Sequence, residues 1–137
     1  MISALDTSVL LDVFLPDPLF LQNSRQAIEE AALDGQLVIC EPVYAELASQ
    51  FSSASRFDSV LEEIGIEVES VGRSGAFLAG QAFKAYRKAG GKRERIITDF
   101  LIGGHAQSRA GCLVTRDRGF YRKYFKGLVI LDPSQRG

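Results

Sequence analysis

The chain has 137 residues and a formal net charge of −1, with 46% hydrophobic and 24% charged residues. That is one domain's worth of chain, and the balance excludes both a disordered tail and a membrane span, for no apolar run nears the ~20 residues a spanning helix needs. No basic stretch precedes a long apolar one, so the expectation is a cytoplasmic protein without a secretory leader, with Cys40 and Cys112 as reduced core thiols.

Short β-branched runs alternate with longer stretches of helical period, the pattern of an α/β domain with a parallel sheet. A first strand is predicted over residues 2–5 and a helix over 8–14, which Pro16 and Pro18 break. A second helix over 19–33 stops at Gly35. The wholly apolar Leu37-Val38-Ile39-Cys40 reads as a buried strand. Pro42 suits the first turn of the helix after it, and Val43, Leu47 and Phe51 give that helix one apolar stripe. Ser52, Ser53 and Ser55 offer caps for a helix with Phe57, Val60, Leu61 and Ile64 on one face. From residue 66 apolar and acidic residues alternate, so the third strand is expected to be half-exposed, near a sheet edge. Ser74 is expected to cap the next helix, which ends at Gly90-Gly91, and Thr98-Asp99 opens another that runs to about residue 110. A strand over 112–115, a short helix over 117–125 and a fifth strand over 128–131 follow.

Charge is divided along the chain. Residues 1–83 hold thirteen acids against three arginines, a net of −10, whereas residues 84–126 hold twelve Lys and Arg against three acids, a net of +9. The second half suits a polyanion, or else it is a set of solvated helix faces. Four carboxylates stand out by position. Asp6 and Asp117 follow buried-type strands, Asp99 lies in the first turn of a helix, and Glu46 is one turn into a helix that follows a strand. In an open parallel sheet the ligand crevice lies outside the carboxyl ends of the strands, where acids from distant parts of the chain can meet. Crowded carboxylates repel and raise each other's pKa, a cost that a divalent cation removes, and hard oxygen donors without Cys or His suit Mg²⁺ or Mn²⁺. Each acid also has a purely structural reading: Asp6 and Asp117 as helix caps, Asp99 at the positive end of a helix dipole, Glu46 as an exposed helix residue. Asp12 lies a turn and a half beyond the strand end, outside this cluster. His105, the only histidine, falls about 240° around the helix from Asp99 and reads as structural or helix-surface, which leaves histidine acid–base catalysis without support. Gly103-Gly104 lacks a phosphate-loop pattern and reads as a close helix–helix contact.

The strings Leu5-Asp6-Thr7-Ser8-Val9-Leu10-Leu11-Asp12, Pro42-Val43-Tyr44-Ala45-Glu46-Leu47, Ile97-Thr98-Asp99-Phe100-Leu101-Ile102-Gly103-Gly104-His105-Ala106 and Leu113-Val114-Thr115-Arg116-Asp117-Arg118-Gly119-Phe120 resemble the four signature blocks of the PIN-domain ribonucleases. Their order and spacing are similar to those of the VapC-type toxins. The resemblance implies one PIN domain over residues 1–137, with a five-stranded parallel sheet in the order 3-2-1-4-5 flanked by helices. It implies Asp6, Glu46, Asp99 and Asp117 as the catalytic and metal-binding acids, with Ser8 and Thr115 supporting the site. The activity implied is Mg²⁺- or Mn²⁺-dependent hydrolysis of RNA by an activated water, held in check by a cognate antitoxin; a homodimer is expected too. Arg93, Arg95, Arg116 and Arg118 are the basic residues nearest the predicted rim and the expected phosphate contacts. Tyr121 and Tyr124 either stack on bases or pack their own helix. Two other readings stay open: a non-catalytic PIN-like module that binds RNA or protein, and an RNA-processing nuclease outside a toxin pair. A dehalogenase-type phosphoryl-transfer site fits poorly, because Ser8 stands where a second Asp is needed.

Overall fold

The computed structural model describes residues 1–92, 97–117 and 119–135. Five parallel strands form one sheet in the order β3-β2-β1-β4-β5: β1 (Ser3–Leu5), β2 (Leu37–Cys40), β3 (Ile66–Glu69), β4 (Cys112–Val114) and β5 (Val129–Leu131). Strands buried on both faces must be apolar throughout, and β1, β2 and β4 are buried at every position. β3 and β5 lie at the two edges. Glu67 and Val68 of the one, and Val129 and Leu131 of the other, are exposed. The α/β architecture is that expected from the alternation of strands and helices, and the strand order is the one the resemblance implies.

The helices are α1 (Thr7–Phe14), α2 (Leu21–Asp34), α3 (Glu41–Ala48), α4 (Ala54–Ile64), α5 (Gly72–Lys88), α6 (Ile97–Arg109) and α7 (Phe120–Tyr124). α3 starts directly after β2 with Pro42 in its first turn, where the missing N–H costs nothing. Ser53 caps α4 by accepting the Arg56 N–H at 3.1 Å, and Gly65, with φ +89°, closes it. Three predicted boundaries move. α3 ends at Ala48, so Phe51 lies beyond the helix whose stripe it was expected to extend. Ser74 caps nothing: α5 begins earlier, at Gly72, so Ser74 sits inside its first turn. α7 begins at Phe120 and not at 117, because Asp117 stays outside the helix and Gly119, with φ +101°, turns the chain into it. A 3-10 turn at Pro133–Gln135 was not foreseen.

Helices α5 and α6 cross at close range on two glycines. A Cβ at Gly104 would overlap the Gly75 carbonyl oxygen, and one at Gly103 would overlap the Phe125 ring. The pair Gly103-Gly104 is therefore the packing contact its sequence suggests. His105 is buried beside them, and its Nε2 lies 2.9 Å from Glu69 Oε1, which ties α6 to the end of β3; Arg109 reaches the other Glu69 oxygen at 2.8 Å. No helix among the described residues is long and apolar enough to cross a membrane.

Candidate active site

Register sets the site. Leu5 pairs with Val114, so the next residues, Asp6 and Thr115, emerge side by side at the carboxyl ends of β1 and β4. The backbone still ties them down: Asp6 N donates to Val114 O at 3.0 Å and Thr115 N to Leu131 O at 3.1 Å. Asp6 is 8% exposed and acts as the cap of α1, its Oδ1 accepting the Thr7 N–H at 2.7 Å. Its Oδ2 accepts the Thr115 hydroxyl at 2.6 Å and the Tyr121 hydroxyl at 3.4 Å. These donors favour the charged carboxylate, yet burial outweighs them and, with Asp99 and Glu46 adding repulsion, pushes the Asp6 pKa up to about 6. Burial, Asp6 and Asp99 also push the Tyr121 phenol far above its usual range.

Asp99 stands in the first turn of α6 and Glu46 in α3, where its Oε1 accepts the Thr7 hydroxyl at 2.6 Å. The structure thus brings Asp6, Glu46 and Asp99 into one electrostatic neighbourhood. Asp117 is nearby but engaged in capping: Oδ1 accepts the N–H groups of Gly119 (3.1 Å) and Tyr121 (3.0 Å), and Oδ2 accepts those of Arg122, backbone at 3.3 Å and guanidinium at 3.4 Å. That is the cap foreseen as its structural alternative. Ser8 lines the same cleft and its Oγ accepts the Arg116 N–H at 3.4 Å. Of the two hydroxyl residues, Thr115 is the one that donates to Asp6.

Arg116 is less simple than a phosphate contact. It lines the cleft, but its guanidinium grips Asp12 with two bonds, at 2.8 and 2.9 Å, and lies over the Phe20 ring at 4.1 Å. Asp12 is 2% exposed and also accepts the Ser24 hydroxyl at 2.6 Å. Arg93, Arg95 and Arg118 lie outside the described residues. The sequence reading missed the roles of Thr7 and Tyr121 at the acids. Thr7 had a local signal, standing between a strand-end acid and Ser8 at a helix start; the reach of Tyr121 to Asp6, across 115 positions, had none.

The cleft has a volume of about 640 Å³, and its lining includes Asp6, Asp99, Asp117 and Thr115 as well as Tyr86, Phe120 and Tyr124. The donor set is all oxygen, which suits a hard cation, and the repulsion borne by Asp6 is what such an ion relieves. Among the described residues no three His, Cys, Asp or Glu side chains are grouped so as to hold a metal ion as they stand. Glu46 is turned to Thr7 and Asp117 to its cap.

A family model described as PIN domain matches residues 4–126. No curated protein matches the chain. Among solved structures, VapBC2 from Rickettsia felis bound to a DNA fragment from its promoter is similar with a TM-score of 0.71 and 22% identity, over 96% of this chain and 98% of that one. VapBC-1 from nontypeable Haemophilus influenzae gives 0.73 and 20%, over 98% and 100%. A toxin–antitoxin complex from Klebsiella pneumoniae gives 0.62 and 21%, over 96% and 97%. At these identities the likeness is one of fold.

Proposed function

The chain belongs to the PIN domain family, and from that premise we propose that it is a divalent-metal-dependent endoribonuclease, the toxin of a toxin–antitoxin pair, with residues 1–137 working as one PIN domain. The observation that carries the reading is the convergence of Asp6, Glu46 and Asp99 on the carboxyl end of the sheet, with Asp6 pushed up to about 6 by burial and by the other two. A structural cap has no need of like-charged neighbours; a cation site does. Asp6, Asp99 and Glu46 are the residues that would hold Mg²⁺ or Mn²⁺, with Asp117 completing the surroundings partly through water. The chemistry such an ion supplies is Lewis acidity: easier loss of a proton from water and a partner for negative charge growing on the phosphate oxygens.

The protein's own part is positioning. Thr115 and the Thr7 N–H fix the two oxygens of Asp6, while Glu46, held by the Thr7 hydroxyl, would turn from it to join Asp6 on an ion. Lys123 lines the cleft and offers a cation to a flanking phosphate. Attack by water on phosphorus, with departure of the 3′ oxygen, leaves 5′-phosphate and 3′-hydroxyl ends. The toxin reading draws support from the VapBC and toxin–antitoxin complexes of the same fold, and it brings a cognate antitoxin and a homodimer as expected partners. The test is cleavage of labelled RNA by the purified chain with Mn²⁺ or Mg²⁺. We expect cleavage that EDTA stops and Asp99→Asn abolishes, and growth arrest on expression of the wild type but not of that variant. A folded wild-type protein that binds RNA and leaves it intact with either metal would instead establish the non-catalytic module.

A further inference from the structure

The cleft has two unlike sets of lining residues. Besides the acids it is lined by Tyr86, Phe120 and Tyr124, all half-buried, and by Lys123. Tyr121 and the following Phe125 are buried, and Phe125 occupies the space over Gly103. Phe120 and Tyr124, four residues apart and so on one face, are only partly buried: they pack against the core with one part and line the cleft with another.

The rings are braced from behind. Phe100, fully buried, meets Phe120 at 5.0 Å and Tyr86 at 5.4 Å, both edge to face, and Tyr86 meets Tyr124 at 5.7 Å. The Tyr86 hydroxyl accepts the Lys92 N–H at 3.1 Å, which fixes that ring too. The Lys123 ammonium lies 5.5 Å from the centre of the Tyr124 ring. Asp99 and Phe100 are consecutive residues of α6, so a single peptide sets the spacing between the acids and the aromatic rings.

Resting on the nuclease reading, we propose that the Tyr86–Tyr124 wall is a stacking subsite for one unpaired nucleobase next to the scissile phosphate, with Lys123 on the phosphate that joins it to the next nucleotide. Every base has a flat π face, and stacking on an aromatic side chain accepts any of them while demanding that the base be free. Within a duplex both faces of a base are covered. The wall therefore selects single-stranded or looped RNA, and an alternation of ring and ammonium on one helix matches the alternation of base and phosphate along such a strand.

The test is equilibrium binding of a labelled short single-stranded RNA, with Ca²⁺ in place of Mg²⁺, and of a series in which one base at a time is replaced by an abasic site. Wild type should lose at least about fivefold in affinity at one position of the series. Tyr124→Leu and Tyr86→Leu should bind the intact strand weaker by a similar factor and no longer sense that abasic site, while Tyr124→Phe should match wild type. Equal affinities across the series for wild type would overturn the proposal even if a leucine variant failed to fold. So would abasic discrimination that survives in both leucine variants, or absence of binding to the single strand. Discrimination without any metal-dependent cleavage would remove the nuclease reading and leave the stacking subsite in place.

Discussion

Asp6 is the side chain at which structure and chemistry pull hardest against each other. Its carboxyl has an ordinary value of 3.8 and a folded value of about 6. Between those values the folded protein binds more protons than the unfolded chain, so ionising Asp6 costs stability, and the loss grows as pH rises from about 4 and levels off above 6. The full difference is on the order of 3 kcal/mol. Asp6→Asn keeps the size and removes the charge. In EDTA its melting temperature relative to wild type should therefore rise by several degrees between pH 4 and pH 7.5, while RNA cleavage disappears. A melting-temperature difference that does not change with pH would mean that Asp6 carries no such penalty. The acids stand out in the sequence by position, Asp6 and Asp117 after strands, Asp99 in a first helical turn and Glu46 one turn into a helix that follows a strand. What holds them was legible only in part: Thr115 lies two positions before Asp117 and could be named, whereas the bonds from Thr7 to Glu46 and from Tyr121 to Asp6 depend on how separate elements dock.

Elements as units show the same division. Strands and helices came through within a few residues because burial on two faces, helical stripes, Pro42 and Gly65 act locally, while the order 3-2-1-4-5 rested on the resemblance, since pairing among distant strands has no local signature. Ser74 misled because a serine near a helix start caps only if the helix begins at the next residue. The tie between α1 and the segment after β4 is the largest feature with no sequence signal. Arg116 and Asp12 are 104 positions apart and read separately as a phosphate contact and a helix residue. Removing one partner leaves a buried charge, so Arg116→Ala and Asp12→Asn should each cost roughly 3 kcal/mol in urea unfolding. The double variant Arg116→Ala Asp12→Asn should cost less than the sum of the two, and strictly additive losses would contradict the pairing. Helix packing gives a sign test. Gly104→Ala meets the Gly75 carbonyl, which cannot step aside, and should destabilise by roughly 1–3 kcal/mol. Gly80→Ala, in α5 with open space around it, should stabilise by about 1 kcal/mol.

For the molecule as a whole, the near-zero net charge conceals an acidic first part and a basic second part, and the cleft draws on both, with Asp6 from the first and Arg116 and Lys123 from the second. A cation seated among Asp6, Glu46 and Asp99 would bind three separate elements at once, α1, α3 and α6, and the unfolded chain offers no such convergence. Such a ligand stabilises by about 2.7 kcal/mol at 100 times its dissociation constant, which for a chain of this length is a rise of roughly 5–10 °C in melting temperature. Mn²⁺ should saturate at lower concentration than Mg²⁺, because it gives up water more readily and accepts less regular oxygen geometry. The double variant Asp6→Asn Asp99→Asn should lose most of the shift. As a control, Glu62→Gln, exposed on α4, changes one charge away from these acids. It should keep the full shift. Scanning fluorimetry of the three proteins with each metal decides the matter. A shift that persists undiminished in the double variant would place the ion elsewhere on the molecule and leave the acids at the sheet's carboxyl end without a metal to hold.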